Sequence, residues 1–161
     1  MLSTNCVLWI MLVSRIEALP SGAPSCLASP SIGHSTEEQP FEDFAGNFYL
    51  EKSMESDGSI VLTIQSIIEG PLESVYVEDS FMGFLVKTYE YGYFVKTEGV
   101  QVMECKEVRL KAVTHKDRRA KSNLKIIFYP EYRSFFGRER QAVFYITLVK
   151  DFSTFWEDVE V

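Results

Sequence analysis

The chain has 161 residues, of which 46% are hydrophobic and 14% aromatic, with a formal net charge of −7. That length fits one domain, and the apolar fraction is ample for a core and excludes a disordered chain. The acidic balance argues against a general nucleic-acid binder, which needs a basic surface for phosphates.

Residues 1–18 read as an address. Cys6 to Val13 is an apolar run too short to cross a bilayer and of the length of a signal-peptide core. Ile16-Glu17-Ala18 supplies a small residue for cleavage, with Ser21-Gly22-Ala23 as a second option. No Lys or Arg precedes the run, and Arg15 follows it; the alternative is an N-terminal helix. Residues 19–40, rich in Pro, Ser and Gly, have linker composition and are expected to form a flexible N-terminal arm. Loss of the leader leaves Cys26 and Cys105. In an oxidising compartment such a pair is expected to be bridged, the alternative being two free thiols.

From residue 41 to 161 the pattern is period two, the signature of strands. Phe44-Ala45-Gly46-Asn47-Phe48-Tyr49-Leu50 is expected to open the first strand, Gly46 allowing a tight turn or close approach and Phe48 plugging the end of the sheet. Ser59 to Ile68 places Ile60, Leu62 and Ile64 on one face. A short strand is expected at Ser74 to Asp79, a longer one at Phe84 to Tyr91, and another at Tyr93 to Thr97. Val100 to Thr114 reads as one strand bent near Cys105. Asn123 to Tyr129 carries Leu124, Ile126 and Phe128 inward, and Gln141 to Val149 alternates most cleanly of all. Thr154 and Glu157 stand at capping-box spacing, and Phe152, Phe155 and Trp156 recur at helical intervals, so the tail is expected to be a short helix. Seven or eight strands with little charge on either face favour closure, because a closed sheet has no exposed edge.

These pieces resemble the lipocalins. Gly46-Asn47-Phe48 is similar to that family's opening Gly-x-Trp, with Phe in place of Trp, and Lys150 stands where a basic residue packs over that ring. Pro130-Glu131-Tyr132 falls where the middle motif is expected. The opening is also similar to intracellular fatty-acid-binding proteins, but the few residues from Met54 to Gly58 leave no room for their helical pair. The resemblance implies an all-β, eight-stranded antiparallel up-and-down barrel with a short C-terminal helix. It also implies a secreted carrier holding a small hydrophobic ligand such as an odorant, pheromone, fatty acid or retinoid, as monomer or dimer and with no cofactor.

The expected lining is Leu62, Ile64, Val86, Tyr89, Tyr91, Phe94, Val102, Leu110, Phe128, Phe144 and Tyr145, with ordinary cross-strand packing as the alternative. His34 and His115 have no nucleophile or carboxylate at a telling spacing, and no catalytic or metal-binding motif is present, so no enzymatic role is expected. Lys116, Arg118, Arg119 and Lys121 form a basic cluster, which reads as a contact for an anionic surface or as a solvated hairpin tip. A second function fits the same features: a secreted β-domain acting through its surface as a cytokine-like ligand, inhibitor or immune modulator, with a solid interior.

Overall fold

A computed structural model describes residues 21–30, 41–67, 80–131, 142–151 and 153–161. The leader 1–18, most of the arm, and the strand expected at Ser74 to Asp79 lie outside the described residues.

A short helix, α1 (Phe41–Asn47), leads into β1 (Phe48–Met54), which turns back into β2 (Ile60–Ser66). The turn is fixed by Asp57, whose carboxylate accepts from the Ser59 backbone N–H at 3.0 Å and the Ser59 hydroxyl at 2.7 Å. After β3 (Gly83–Thr88) and β4 (Gly92–Phe94) come the paired strands β5 (Val100–Met103) and β6 (Lys111–His115). The chain then runs through β7 (Asn123–Pro130), β8 (Tyr145–Val149) and β9 (Phe155–Glu160).

The strands form two antiparallel sheets, β1-β2-β7-β4 and β5-β6-β3-β8-β9. Alternation along each strand sends one face inward. Leu62 lies opposite Ile126 and Ile60 opposite Phe128 in the first sheet; Val86 lies opposite both Val113 and Ile146 in the second. These residues belong to one buried cluster, so the two sheets stack on a common core as a β-sandwich.

The expected barrel is therefore corrected. Among the described residues the first sheet ends at β1 and β4 and the second at β5 and β9, with no ladder that joins these edges; a single bridge, Phe81 to Lys121, links the residues that lead into β3 and β7. The order is also not sequential, because β7 inserts between β2 and β4. Period-two alternation gives each strand an apolar face, but it is equally satisfied when one sheet curls and when two sheets face each other.

Local expectations change with it. The tail is a strand, not a helix: Phe155 pairs with Val149 and Trp156 with Leu148. Trp156 and Val159 both enter the core although three residues apart, because the β8–β9 ladder shifts register between Ile146 and Leu148. One extra residue in a strand thus puts side chains three apart on the same face. Asp158, at φ 53°, takes the left-handed conformation there, which Asp tolerates better than most side chains. The opening stretch is α1 up to Asn47, and an added Cβ on Gly46 would meet nothing within 4 Å, so no close approach requires glycine there. The strand expected from Val100 to Thr114 is β5 and β6 with a connecting loop, and Cys105 lies in that loop.

The second sheet is covered on its outer face as well. Cys26 is bridged to Cys105 across a sequence separation of 79 and packs with Leu85, Leu110 and Ala112 in a second apolar cluster. Residues 21–30 thus form a strap over β3 and β6. Gly22 starts the strap at φ 103°, where a Cβ would come within 2.6 Å of the His115 carbonyl oxygen. The Ala23 N–H then donates to the Thr114 hydroxyl at 2.9 Å. Among the described residues, no helix is long and apolar enough to cross a membrane.

Candidate functional site

The residues expected to line a cavity divide into three groups. Leu62, Ile64, Val86, Phe94, Phe128 and Phe144 are buried between the sheets and pack on one another. Phe94 and Phe144 stand 5.0 and 5.4 Å from the Phe128 ring, both edge-to-face. Leu110 is buried under the strap instead. Tyr89, Tyr91 and Val102 are exposed, and Tyr145 is half-buried at 6.4 Å from the Tyr89 ring.

Phe48 is buried, as a plug would be, but its neighbours are Phe44, Phe81 and Trp156 at 5.5–5.9 Å between ring centres. Lys150 donates to the Asn47 side-chain oxygen at 3.2 Å. His115 is half-buried at the end of β6, with the Phe84 N–H donating to its Nδ1 at 3.2 Å.

Two of the exposed tyrosines, Tyr91 and Tyr93, rest against neighbouring side chains. Tyr93, 54% exposed on β4, lies opposite Tyr129 of β7 with their rings 5.6 Å apart and 20° from parallel. The Tyr129 hydroxyl donates to Asp57 at 2.8 Å, so its ring reaches from β7 to the β1–β2 turn. Asp57 is lowered to about 2, chiefly by the Ser59 hydroxyl and backbone N–H and then by Tyr129. The same bond and the Asp57 charge raise the Tyr129 phenol above its usual value. Tyr91, 60% exposed, has the Arg109 guanidinium 5.5 Å from its ring centre. Gly92 makes the arrangement possible: at φ 150° it brings β4 so close to β7 that a Cβ would stand 2.3 Å from the Tyr129 carbonyl oxygen. The run Tyr89-Glu90-Tyr91-Gly92-Tyr93 is visible in sequence; that its tyrosines face solvent is not.

The basic cluster is the β6–β7 connection, and Arg119 and Lys121 make contacts within it. Arg119 pairs with Asp117 at 2.7 Å and holds that carboxyl far below the usual range. The Lys121 ammonium donates to the carbonyls of Asp117 and Arg119 at 2.8 and 2.6 Å, and burial lowers its pKa. Lys116 and Arg118 are exposed. A depression of about 220 Å³ lies between this loop and Glu98-Gly99, and a more apolar one of about 360 Å³ lies between β1 and β9.

Against this geometry the comparisons with known proteins correct the lipocalin resemblance. No curated protein matches the chain. Among solved structures it is similar to the Reelin-N domain of F-spondin, at 15% identity and a TM-score of 0.48 over 71% of this chain and 84% of that one. It is also similar to two fragments of the human F-spondin reeler domain. The first is 15% identical with a TM-score of 0.46 (71% and 87% covered), the second 13% with 0.44 (70% and 93% covered). The family model of the Reeler domain matches residues 26–161, from the bridged Cys26 to the last residue, and the chain belongs to the Reeler domain family.

Proposed function

We propose that this domain is secreted and acts through its surface, recognising an extracellular protein partner by its tyrosine face. One observation carries the reading. Tyr91, which a carrier would turn inward, and Tyr93 stand in solvent and are braced there by Arg109 and by the Tyr129–Asp57 pair, while phenylalanines fill the interior. Tyrosine and arginine are the side chains most enriched where binding energy concentrates between proteins. Rings already fixed by neighbours lose little conformational entropy on binding. The Cys26–Cys105 bridge supports secretion, since such bonds persist in oxidising compartments.

Titration with a fluorescent naphthylamine probe tests the reading against a carrier role. The expected result is no saturable signal; a stoichiometric signal displaced by a fatty acid would overturn it.

A further inference from the structure

We propose that the peptide bond between Arg119 and Ala120 is a processing site for a serine protease specific for paired basic residues, and that the fold retains both pieces after the cut. The proposal rests on the reading of the chain as secreted, because proteases of this class work in the secretory pathway and beyond it.

Lys116-Asp117-Arg118-Arg119 places cations at the first, second and fourth positions before the bond, the pattern that acidic protease subsites accept. The sequence lies on the surface loop that carries the chain from β6 in one sheet to β7 in the other. Lys116, Arg118 and Ala120 are exposed, and the Arg119 side chain is 76% exposed. Exposed loop tips are preferred sites of nicking. A cut here breaks no ladder, since β6 stays between β5 and β3 and β7 between β2 and β4.

Hydrolysis adds one water, the hydroxyl to the Arg119 carbonyl carbon and the proton to the Ala120 nitrogen, leaving a carboxylate and an ammonium. The carboxylate forms on the oxygen that the Lys121 ammonium already holds at 2.6 Å. A bond already charge-assisted by the ammonium thereby becomes an ion pair, with both donor and acceptor charged. Lys121 also exchanges two backbone hydrogen bonds with Phe81, both 2.9 Å, which anchor the start of the C-terminal piece. The same contacts slow the cut. Asp117 clasps the Arg119 backbone at 3.0 Å and its guanidinium at 2.7 Å, so the rate follows the small population of opened loop.

The test incubates the folded, disulfide-bonded chain with a purified calcium-dependent subtilisin-type protease specific for paired basic residues and follows intact mass. The expected product is heavier by one water, ends at Arg119 and restarts at Ala120. It elutes as one species in native buffer and separates in denaturant without reductant, because both bridged cysteines precede the cut. Arg119→Gln slows cleavage at least about 100-fold by removing the cation beside the bond. Lys121→Gln speeds it about two- to tenfold by freeing the carbonyl, and its nicked form comes apart at lower denaturant. A first cut elsewhere, no cut, or pieces that separate in native buffer would overturn the proposal. Secretion is read separately, from recovery of the chain in culture medium, so its failure is told apart from failure at the bond.

Discussion

The two sheets share a core but differ on their outer faces. The outer face of the first meets water: β2 alternates buried with half-buried or exposed residues, and Tyr49, Gln65, Lys125 and Tyr93 stand on its surface. The outer face of the second is covered by the strap 21–30 at Leu85, Leu110 and Ala112, and every residue of β3 is buried, including Lys87, whose ammonium pairs with Asp158 of β9 at 2.8 Å. A strand reads as alternating or as continuously apolar according to what covers its second face. The second sheet depends for part of its stability on a segment tied down by one covalent bond. The first depends on none, and its free face is where recognition groups can stand.

The largest expected effect removes the roof. Replacing Cys26 and Cys105 by Ser, or reducing the bridge, is expected to cost about 4–5 kcal/mol in the chain-entropy account for a loop of 79 residues. Urea unfolding with and without reductant measures it. Leu85, Leu110 and Ala112 would lose their cover, so binding of a hydrophobic dye should rise in step. A loss below about 1 kcal/mol would mean that the strap is held by packing alone.

A pair of substitutions sharpens the contrast. Leu85→Ala on the roofed face is expected to cost about 2–4 kcal/mol through cavity formation. Thr63→Ala on the wet face of β2 should stay within about 0.5 kcal/mol. Equal costs would remove the distinction between the faces. Gly92→Ala tests the edge of the wet sheet: its Cβ has no room between the Tyr129 carbonyl and the Phe128 ring, so β4 must shift at a cost of about 1–3 kcal/mol. Loss of the Tyr93–Tyr129 contact should appear in the near-ultraviolet circular dichroism.

The same contrast decides what the sequence could tell. Strands with one wet face were legible close to their ends: Asn123 to Tyr129 was expected and β7 is Asn123–Pro130, and Ser59 to Ile68 became Ile60–Ser66. The Cys26–Cys105 bridge was legible from a count of two. Closure was not, because a barrel and a sandwich make the same demand on each strand, and nothing local shows that β7 will insert between β2 and β4. The C-terminal strand was hidden because Phe155 and Trp156, consecutive residues, are both buried in it, so no period-two alternation marks its start. The tyrosine face was half legible. Tyr89 and Tyr91 stand in the expected lining, but a tyrosine satisfies an interior wall and an exposed platform equally well, and the close approach at Gly92 and the Asp57 anchor are not visible in the sequence.

The smallest effect is the titration of Asp57, which belongs to the wet sheet alone. Its folded value of about 2 lies below the ordinary 3.8, so the stability it contributes is complete above the ordinary value and is lost as pH falls through the folded one. Between roughly pH 4 and pH 2 the β1–β2 turn and the Tyr129 anchor should loosen while the disulfide-held strap stays unchanged. Carbon-13 NMR of the Asp57 carboxyl gives the midpoint directly. Ser59→Ala should move it up towards 3.8 further than Tyr129→Phe does, because the Ser59 hydroxyl and N–H are the leading causes of the shift and the phenol the lesser one. An unshifted midpoint with Ser59 intact would mean that the turn does not hold Asp57 in place, and Tyr129 would then stand without its brace.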